Sequence, residues 1–287
     1  MAQRPKMLVY FIMILVMMIL CVSTKHMLYE TASSYAVFLT EEQMTTVRKQ
    51  LITNSCLEFL REQAAASDVD FYSLLAAAFY VEQGMLSDTT TLKKHLRDYT
   101  ELLEQHKERN EFICYRNLFS GIWQDLKVFP VPDSVNETKH AVDYEDSWMF
   151  ERNFSRKRGH EGCDLMPIKN KAGYYPVLSM SDGTIEKIGW LTLGGYRVGI
   201  RTKHGAYLYY AHLHSYAAAL YEGKEVHAGE LLGYMGDSGY GEEGTCGMFP
   251  VHLHIGIYLN MDESEQISIN PYYPLKSLEE KRIRYQY

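Results

Sequence analysis

The stretch that decides the fold begins with Arg158-Gly-His-Glu-Gly-Cys-Asp164 and ends with Val251-His-Leu-His-Ile-Gly256. Both of its ends carry polar residues at an even spacing. Because alternate residues of an extended strand point to the same face, His252 and His254 can both face one site. We therefore expect the chain between the two ends to hold them together around a polar site.

Two imidazoles and one carboxylate are available where these ends meet. His160 and Asp164 are four residues apart, a spacing that suits a strand and a helix turn equally well. Together with a histidine of the second end, they suit a borderline metal such as zinc and leave the fourth coordination position to water. Spacing alone does not establish a metal site, because His212-Leu-His214 has the same His-x-His pattern and short motifs of this kind also occur by chance.

The residues between the two ends have the pattern of short β-strands. Asp182-Gly183, Gly194-Gly195 and His204-Gly205 are turn signals between strand-like segments. Short strands with closely spaced turns predict an antiparallel sheet that folds over on itself, as a sandwich or an open barrel. Histidines on such strands lie in a groove on rigid backbone.

Four motifs, in this order, resemble the LytM/lysostaphin-type zinc metallopeptidases over residues 155–273. They are Arg158-Gly-His-Glu-Gly-Cys-Asp164, Tyr209-Tyr-Ala-His-Leu213, Gly233-Tyr-Met-Gly-Asp-Ser-Gly239 and Val251-His-Leu-His-Ile-Gly256. The resemblance implies an all-β domain of the LytM type that hydrolyses peptide bonds of peptidoglycan. One departure is the run from Tyr240 to Pro250, which is longer than the short glycine-rich link expected there.

The resemblance also implies a role for each polar position. Its Zn²⁺ ligands would be His160, Asp164 and His254. His212 and His252 would be the two unliganded catalytic histidines, of which one takes a proton from water and the other stabilises the developing oxyanion. Because zinc activates water, no serine or cysteine nucleophile is required. His214 is the alternative to His212 on the same strand face, but the Tyr-Ala-His-Leu context favours His212.

Four cysteines follow the apolar N-terminal stretch: Cys56, Cys114, Cys163 and Cys246. An even number on the exported side is compatible with two disulfides, and the natural pairing is Cys56 with Cys114 and Cys163 with Cys246. Four free thiols are the alternative for an organism that lives without oxygen. Cys163 is disfavoured as a zinc ligand, because the residue next to Asp164 on a strand points to the opposite face.

Residues 7–22 are apolar and carry no charge, with Arg4 and Lys6 before them and Lys25 after them. A bilayer-spanning helix needs about 17–25 apolar residues, so this segment is at the short end. A secretory signal peptide is the alternative, but no clean small-x-small cleavage site follows. We expect residues 1–25 to be a cytoplasmic tip and an uncleaved transmembrane helix, with the catalytic domain on the extracytoplasmic side of the cell membrane.

Residues 30–128 have the periodicity of a small helical bundle. Thr40-Glu-Glu-Gln43 is a capping box. A helical stripe with apolar residues three and four apart comprises Phe71, Leu74, Leu75, Ala78 and Phe79. Glu82 faintly resembles the acid of lysozyme-like transglycosylases, but no second carboxylate motif accompanies it. We therefore interpret Glu82 as a solvent-exposed glutamate at a helix end.

These segments predict an α+β chain with five parts. After the anchor and the bundle come a proline-containing linker at 129–154, the zinc peptidase domain at 155–275 and a C-terminal tail at 276–287. The net charge of −7 argues against nucleic acid as a partner, since phosphate binding needs clustered Lys and Arg. It is compatible with peptidoglycan peptides as substrate.

The resulting hypothesis is a membrane-anchored zinc metalloendopeptidase that cuts peptidoglycan stem or cross-link peptides. The alternative is a non-enzymatic LytM-like scaffold or activator in cell-wall remodelling, division or sporulation. Such relatives usually lose ligands, whereas all five polar positions are present here. An enzyme that cuts the wall of its own cell needs restraint, so we expect protein regulators or a helix face of the bundle to obstruct the groove.

Overall fold

The structure is a computed structural model that describes residues 39–153, 157–260 and 266–287. The expected membrane segment at residues 7–22 lies outside these ranges. Across the three described ranges, no helix combines the length and the apolar character that a bilayer crossing requires.

The helical part at residues 41–123 begins as the capping box predicts. Its helices are α1 Glu41–Lys49, α2 Asn54–Ser67, α3 Phe71–Val81, α4 Thr89–His106 and α5 Asn110–Trp123. Thr40 Oγ1 accepts from the Gln43 backbone N–H at 3.2 Å, and Gln43 Oε1 accepts from the Thr40 N–H at 2.8 Å. The reciprocal bonds satisfy two backbone donors that α1 would otherwise leave unpaired.

Helix α3 is the centre of the helical part. Its six consecutive residues 74–79 are all buried, and it packs against α2, α4 and α5. The Phe79 ring lies 4.9 Å from the Phe119 ring in an edge-to-face arrangement, which is a favourable geometry for aromatic pairs.

The interpretation of Glu82 as a solvent-exposed residue is wrong. Its side chain is only 13% exposed, and its Oε1 lies 2.7 Å from both His95 Nδ1 and the Tyr99 hydroxyl. Both partners belong to α4. The carboxylate therefore joins the end of α3 to α4.

The C-terminal part is built from short strands and one short helix. They are β1 Asp133–Ser134, β2 Val142–Asp143, β3 Glu151–Arg152, β4 Arg158–Gly159, β5 Cys163–Pro167, β6 Pro176–Leu178, β7 Gly183–Leu191, β8 Gly195–Arg201, β9 Tyr207–Tyr216, β10 Glu225–Val226, β11 Leu231–Met235, β12 Leu253–Asn260, β13 Gln266–Ile269, α6 Tyr272–Ser277, a 3₁₀ turn Glu279–Lys281, and β14 Arg284–Tyr285. This confirms the expected α+β architecture with short strands.

Most of these strands form one connected sheet in the order β10-β7-β8-β9-β12-β5-β2, with β6, β11 and β13 joined beside this path. Its neighbouring strands are antiparallel, as predicted. The sheet branches at β9, which pairs with β8, β11 and β12. The strands therefore fold over as one branched sheet rather than as two separate sheets of a sandwich.

The predicted linker and tail are both part of this β-structure. Strand β2 pairs with β5, and β1 pairs in parallel with β14 at the end of the chain. Phe129 and Val131 are fully buried. The segment 129–153 therefore lies along the domain and contributes to its core.

The helices pack on one end of the β-structure and share a core with it. Helix α1 contacts β13, α2 contacts α6, and α5 contacts β12. Near Gly121 of α5 lie the Leu259 side chain and the His204 carbonyl. Leu259 is five residues along β12 from His254, or roughly 16 Å at the usual rise of a strand. The expected obstruction of the groove by the bundle stays a prediction.

Of the two alternatives for the cysteines, the structure favours free thiols over two disulfides. Cys56, Cys114, Cys163 and Cys246 are all free, so the alternative of four thiols holds. Burial raises the pKa of the Cys114 thiol to about 12, which keeps it protonated and unreactive. Cys163 is buried opposite Ile255, on the face of β5 that we expected, and its thiol donates to the Glu145 carbonyl at 3.4 Å.

Replacing Trp123 by phenylalanine should destabilise the chain by about 1–3 kcal/mol, because a buried acceptor would lose its donor. Trp123 Nε1 donates to Gln50 Oε1 at 2.6 Å, and both residues are buried. The measurement is the midpoint of urea unfolding. Tyr80→Phe is the control, since Tyr80 is 42% exposed and surface changes usually stay within about 0.5 kcal/mol. Equal midpoints for the two variants would contradict this assignment.

Candidate metal centre

The pairing of β5 with β12 brings the two ends of the deciding stretch together. Asp164 of β5 lies directly opposite His254 of β12. On the other side of β12, Ala211 of β9 pairs with His254. His160, between β4 and β5, is 3% exposed. One ligand atom each from His160, Asp164 and His254 lies within 4.8 Å of the others.

The three side chains converge on one point. His160 Nε2 and His254 Nδ1 lie 3.0 and 2.9 Å from Asp164 Oδ1, and 3.0 Å from each other. Ligand atoms around a tetrahedral zinc at 2.0–2.1 Å are about 3.3 Å apart. Two imidazole nitrogens and one carboxylate oxygen therefore have the chemistry and nearly the spacing of a zinc site with one open position.

Hydrogen bonding sets which nitrogen of His160 faces this point. His160 Nδ1 lies 3.0 Å from the carbonyl oxygen of Ser147. A carbonyl only accepts, so a hydrogen bond to it requires the proton on Nδ1, and in that tautomer the Nε2 lone pair is available to a metal. This is the usual way in which a partner behind the ring fixes the tautomer of a metal-binding histidine.

Arg152 holds the outer oxygen of the carboxylate. Its Nη2 donates to Asp164 Oδ2 at 2.5 Å, which leaves Oδ1 for the metal point. Burial alone would raise the pKa of Asp164, but its contacts with His160 and His254 outweigh burial and hold the pKa well below its usual range. Asp164 is therefore an anion, the form that binds a metal.

Gly162, in the middle of the first motif, gives His254 its place. A Cβ at this position would lie 2.3 Å from His254 Cε1 and 2.5 Å from His254 Nε2. Real side chains do not approach so closely, so any residue larger than glycine would displace the ring. The glycine is thus needed for close approach rather than for a turn.

His212 lies beside the triad in a kink of β9. Its φ of 62° is left-handed, and the pairing registers of β9 with β8 and with β11 shift around it. The ring is 4.7 Å from that of His252 and 6.0 Å from that of His254. The kink therefore turns His212 towards the two histidines of β12.

His212 is neutral and has a free lone pair. Its Nδ1 donates to the Ser238 carbonyl at 2.8 Å, so Nε2 is the unprotonated nitrogen. Burial lowers its pKa well below that of an ordinary histidine. The Nδ1 of His252 also faces a backbone carbonyl, that of Pro250, at 2.8 Å. Its Nε2 lies 3.8 Å from Asp164 Oδ1.

His214 lies elsewhere. Its side chain is exposed and rests against Gly173, where a Cβ would be 2.8 Å from His214 Cδ2. Of the two histidines in the His212-Leu-His214 pair, the structure therefore brings only His212 to the triad.

Aromatic side chains from the long run 240–250 form one wall of the site. The Phe249 ring lies 4.7 Å from the His212 ring and 5.1 Å from the His252 ring, both between centroids. Tyr240 packs on Phe249 at 4.8 Å. The additional length of this run thus serves to cover the two histidines with apolar surface.

Sequence reasoning missed three residues around the site: Ser147, Arg152 and Phe249. Ser147 and Arg152 lie in the predicted linker, where prolines and turn-forming residues show no recognisable motif. For Phe249, the unusual length of the run 240–250 was the one available signal.

Replacing Gly162 by alanine should weaken metal binding by about tenfold or more, the scale seen when the orientation of a ligand is lost. The added methyl group would push the His254 ring away from Asp164. Competition with a chelator measures the affinity. Glu161→Ala is the matched control, because the adjacent Glu161 is exposed. An unchanged affinity in the Gly162 variant would show that this contact does not place the ring.

Comparison with known proteins agrees with the geometry. The model of peptidase family M23 matches residues 158–269. The L-Ala–D-Glu endopeptidase of Bacillus subtilis (strain 168) is 38% identical over 179 residues, which cover 62% of this chain and 50% of that protein. The chain thus spans about half the length of this curated relative.

A solved structure from Ruminococcus gnavus ATCC 29149, provisionally assigned as a glycyl-glycine endopeptidase LytM, has a similar fold. It is 42% identical, with a TM-score of 0.70, over 84% of this chain and 93% of the other. This similarity reaches well beyond the range of the family match and includes helices as well as strands. The chain belongs to peptidase family M23.

Proposed function

We propose that this chain is a zinc-dependent endopeptidase of peptidoglycan peptides. The observation that carries the proposal is the convergence of His160 Nε2, Asp164 Oδ1 and His254 Nδ1 within 3.0 Å of one another. These residues would hold the zinc ion. Bound there, zinc polarises the scissile carbonyl and lowers the pKa of its bound water from 15.7 to about 7.

His212 is suited to be the general base. Its Nδ1 is committed to the Ser238 carbonyl, and burial keeps the ring neutral, so Nε2 can take a proton from the attacking water. The same nitrogen can then pass the proton to the leaving amine. The buried ring next to Phe249 also has little competition from bulk water.

His252 is suited to stabilise the oxyanion. Its Nδ1 faces the Pro250 carbonyl, so Nε2 is the nitrogen that can donate a hydrogen bond to substrate. Such a donor contributes several kcal/mol in other hydrolases. The two histidines thus divide the work, one as acceptor and one as donor.

The substrate class rests on the relatives. One is named for an L-Ala–D-Glu bond and another for a glycyl-glycine bond, both of them short peptide linkages. We therefore propose a peptidoglycan stem or cross-link peptide as substrate. We also propose, on the sequence of residues 7–22, that the chain is anchored in the cell membrane with its site on the extracytoplasmic side.

Purified chain should contain about one zinc ion, and His254→Ala should lose it, because one of three protein ligands is removed. Elemental analysis measures both. His214→Ala is the matched control, since His214 lies outside the triad and should leave zinc content unchanged. Wild-type chain without zinc, or a His254 variant that keeps it, would contradict the metal assignment.

His212→Ala and His252→Ala should each lower hydrolysis of muropeptides by roughly a hundredfold or more while zinc content stays near one. Mass spectrometry of defined muropeptides measures the rate and identifies the bond that is cut. His214→Ala should remain active. Zinc-loaded wild type that cuts no muropeptide would support the scaffold alternative, and an inactive His214 variant would reverse the assignment on β9.

A further inference from the structure

The C-terminal end of α1 is fixed to the β-structure through Arg48. Its Nε donates to the Ser268 carbonyl at 2.9 Å, and its Nη2 donates to Ser268 Oγ at 2.8 Å. The backbone carbonyl of Arg48 accepts from the Asn270 N–H at 2.8 Å. Ser268 and Asn270 are both buried. Arg48 is therefore held by side chain and backbone at the end of β13.

Arg48 and Asn270 both reach the segment 146–148. The Arg48 guanidinium lies 5.5 Å from the centre of the Trp148 ring, within the range of a cation–π contact. Asn270 Nδ2 donates to both carboxylate oxygens of Asp146, at 3.1 and 3.2 Å. The residues on either side of Ser147 are thus tied to the end of α1.

Ser147 is the residue that orients His160. It is 7% exposed, and its carbonyl accepts from His160 Nδ1 at 3.0 Å. Backbone bonds wrap the same segment around the histidine: Met149 N–H donates to the His160 carbonyl at 2.8 Å, and His160 N–H donates to the Phe150 carbonyl at 2.9 Å. A shift of segment 146–148 would therefore move the ring of His160.

We propose that Arg48 is a positioning residue for the metal centre, acting through segment 146–148 on His160. The inference rests on the proposed zinc site and assigns the helical part a role in building it. Residues that orient metal ligands typically change metal affinity by about 10–100-fold when they are replaced. Arg48 acts one step further away, so the effect belongs at the lower end of that range.

A second contact between helices and sheet provides the matched control. Asp125, just after α5, accepts from the His204 N–H at 2.7 Å, and its other oxygen lies 2.8 Å from His204 Nδ1. The contacts described for His160, Asp164 and His254 do not involve the turn at 203–205. Breaking this pair tests the packing of the helices without moving segment 146–148.

The experiment measures zinc affinity of the full chain by competition with a chelator, together with the melting temperature. Arg48→Ala should weaken zinc binding by about tenfold. Arg48→Lys should recover much of the loss, because an ammonium group can still donate to Ser268 and lie over Trp148. Asp125→Ala should lower the melting temperature but leave zinc affinity within about twofold of wild type.

A second variant covers the case in which Arg48→Ala does not fold. Asp146→Ala removes the link from Asn270 and should also weaken zinc binding. If Arg48→Ala folds, unchanged zinc affinity in that variant would overturn the inference and leave the proposed function standing. If Arg48→Ala does not fold, unchanged zinc affinity in Asp146→Ala would do the same. An equal loss in Asp125→Ala would also overturn it. Wild type that binds no zinc would instead refute the proposed function.

Discussion

The antiparallel pairing of β5 with β12 is the constraint on which the site depends. It sets Asp164 opposite His254 and, one residue away, Cys163 opposite Ile255. Because strand side chains alternate, the polar pair faces the site while the apolar pair enters the core. A slip of one residue would bury the carboxylate and expose the core residues. The burial of Cys163 and Ile255 thus fixes the register that the site requires.

Burying this much polarity needs compensation, because an unpaired buried charge is costly. Asp164 has three polar partners: the Arg152 guanidinium, which donates to Oδ2, and the rings of His160 and His254, which lie against Oδ1. Burial lowers the pKa of His254 and His212, so these two rings are held in the neutral form beside the Asp164 anion and the Arg152 guanidinium. This is an environment ready to receive a divalent cation.

Much of this could be predicted from sequence, because it depends on local patterns. Alternation and glycine turns predicted an antiparallel sheet, the capping box predicted the start of α1, and motif order brought the five polar positions together. Arg152, the packing of α1 on β13 and the burial of Glu82 depend on contacts between distant segments, which no local pattern encodes. The state of the four cysteines stayed open for the same reason, since an even number of cysteines does not place them near one another.

In the proposed function, two imidazoles and one carboxylate hold zinc in a site with one open position. X-ray absorption at the zinc edge of the purified chain tests it most directly. The account predicts four nitrogen or oxygen neighbours at 2.0–2.1 Å, with two of them showing the outer-shell signature of imidazole. A sulfur neighbour at about 2.3 Å, or a site with fewer than two imidazoles, would contradict it.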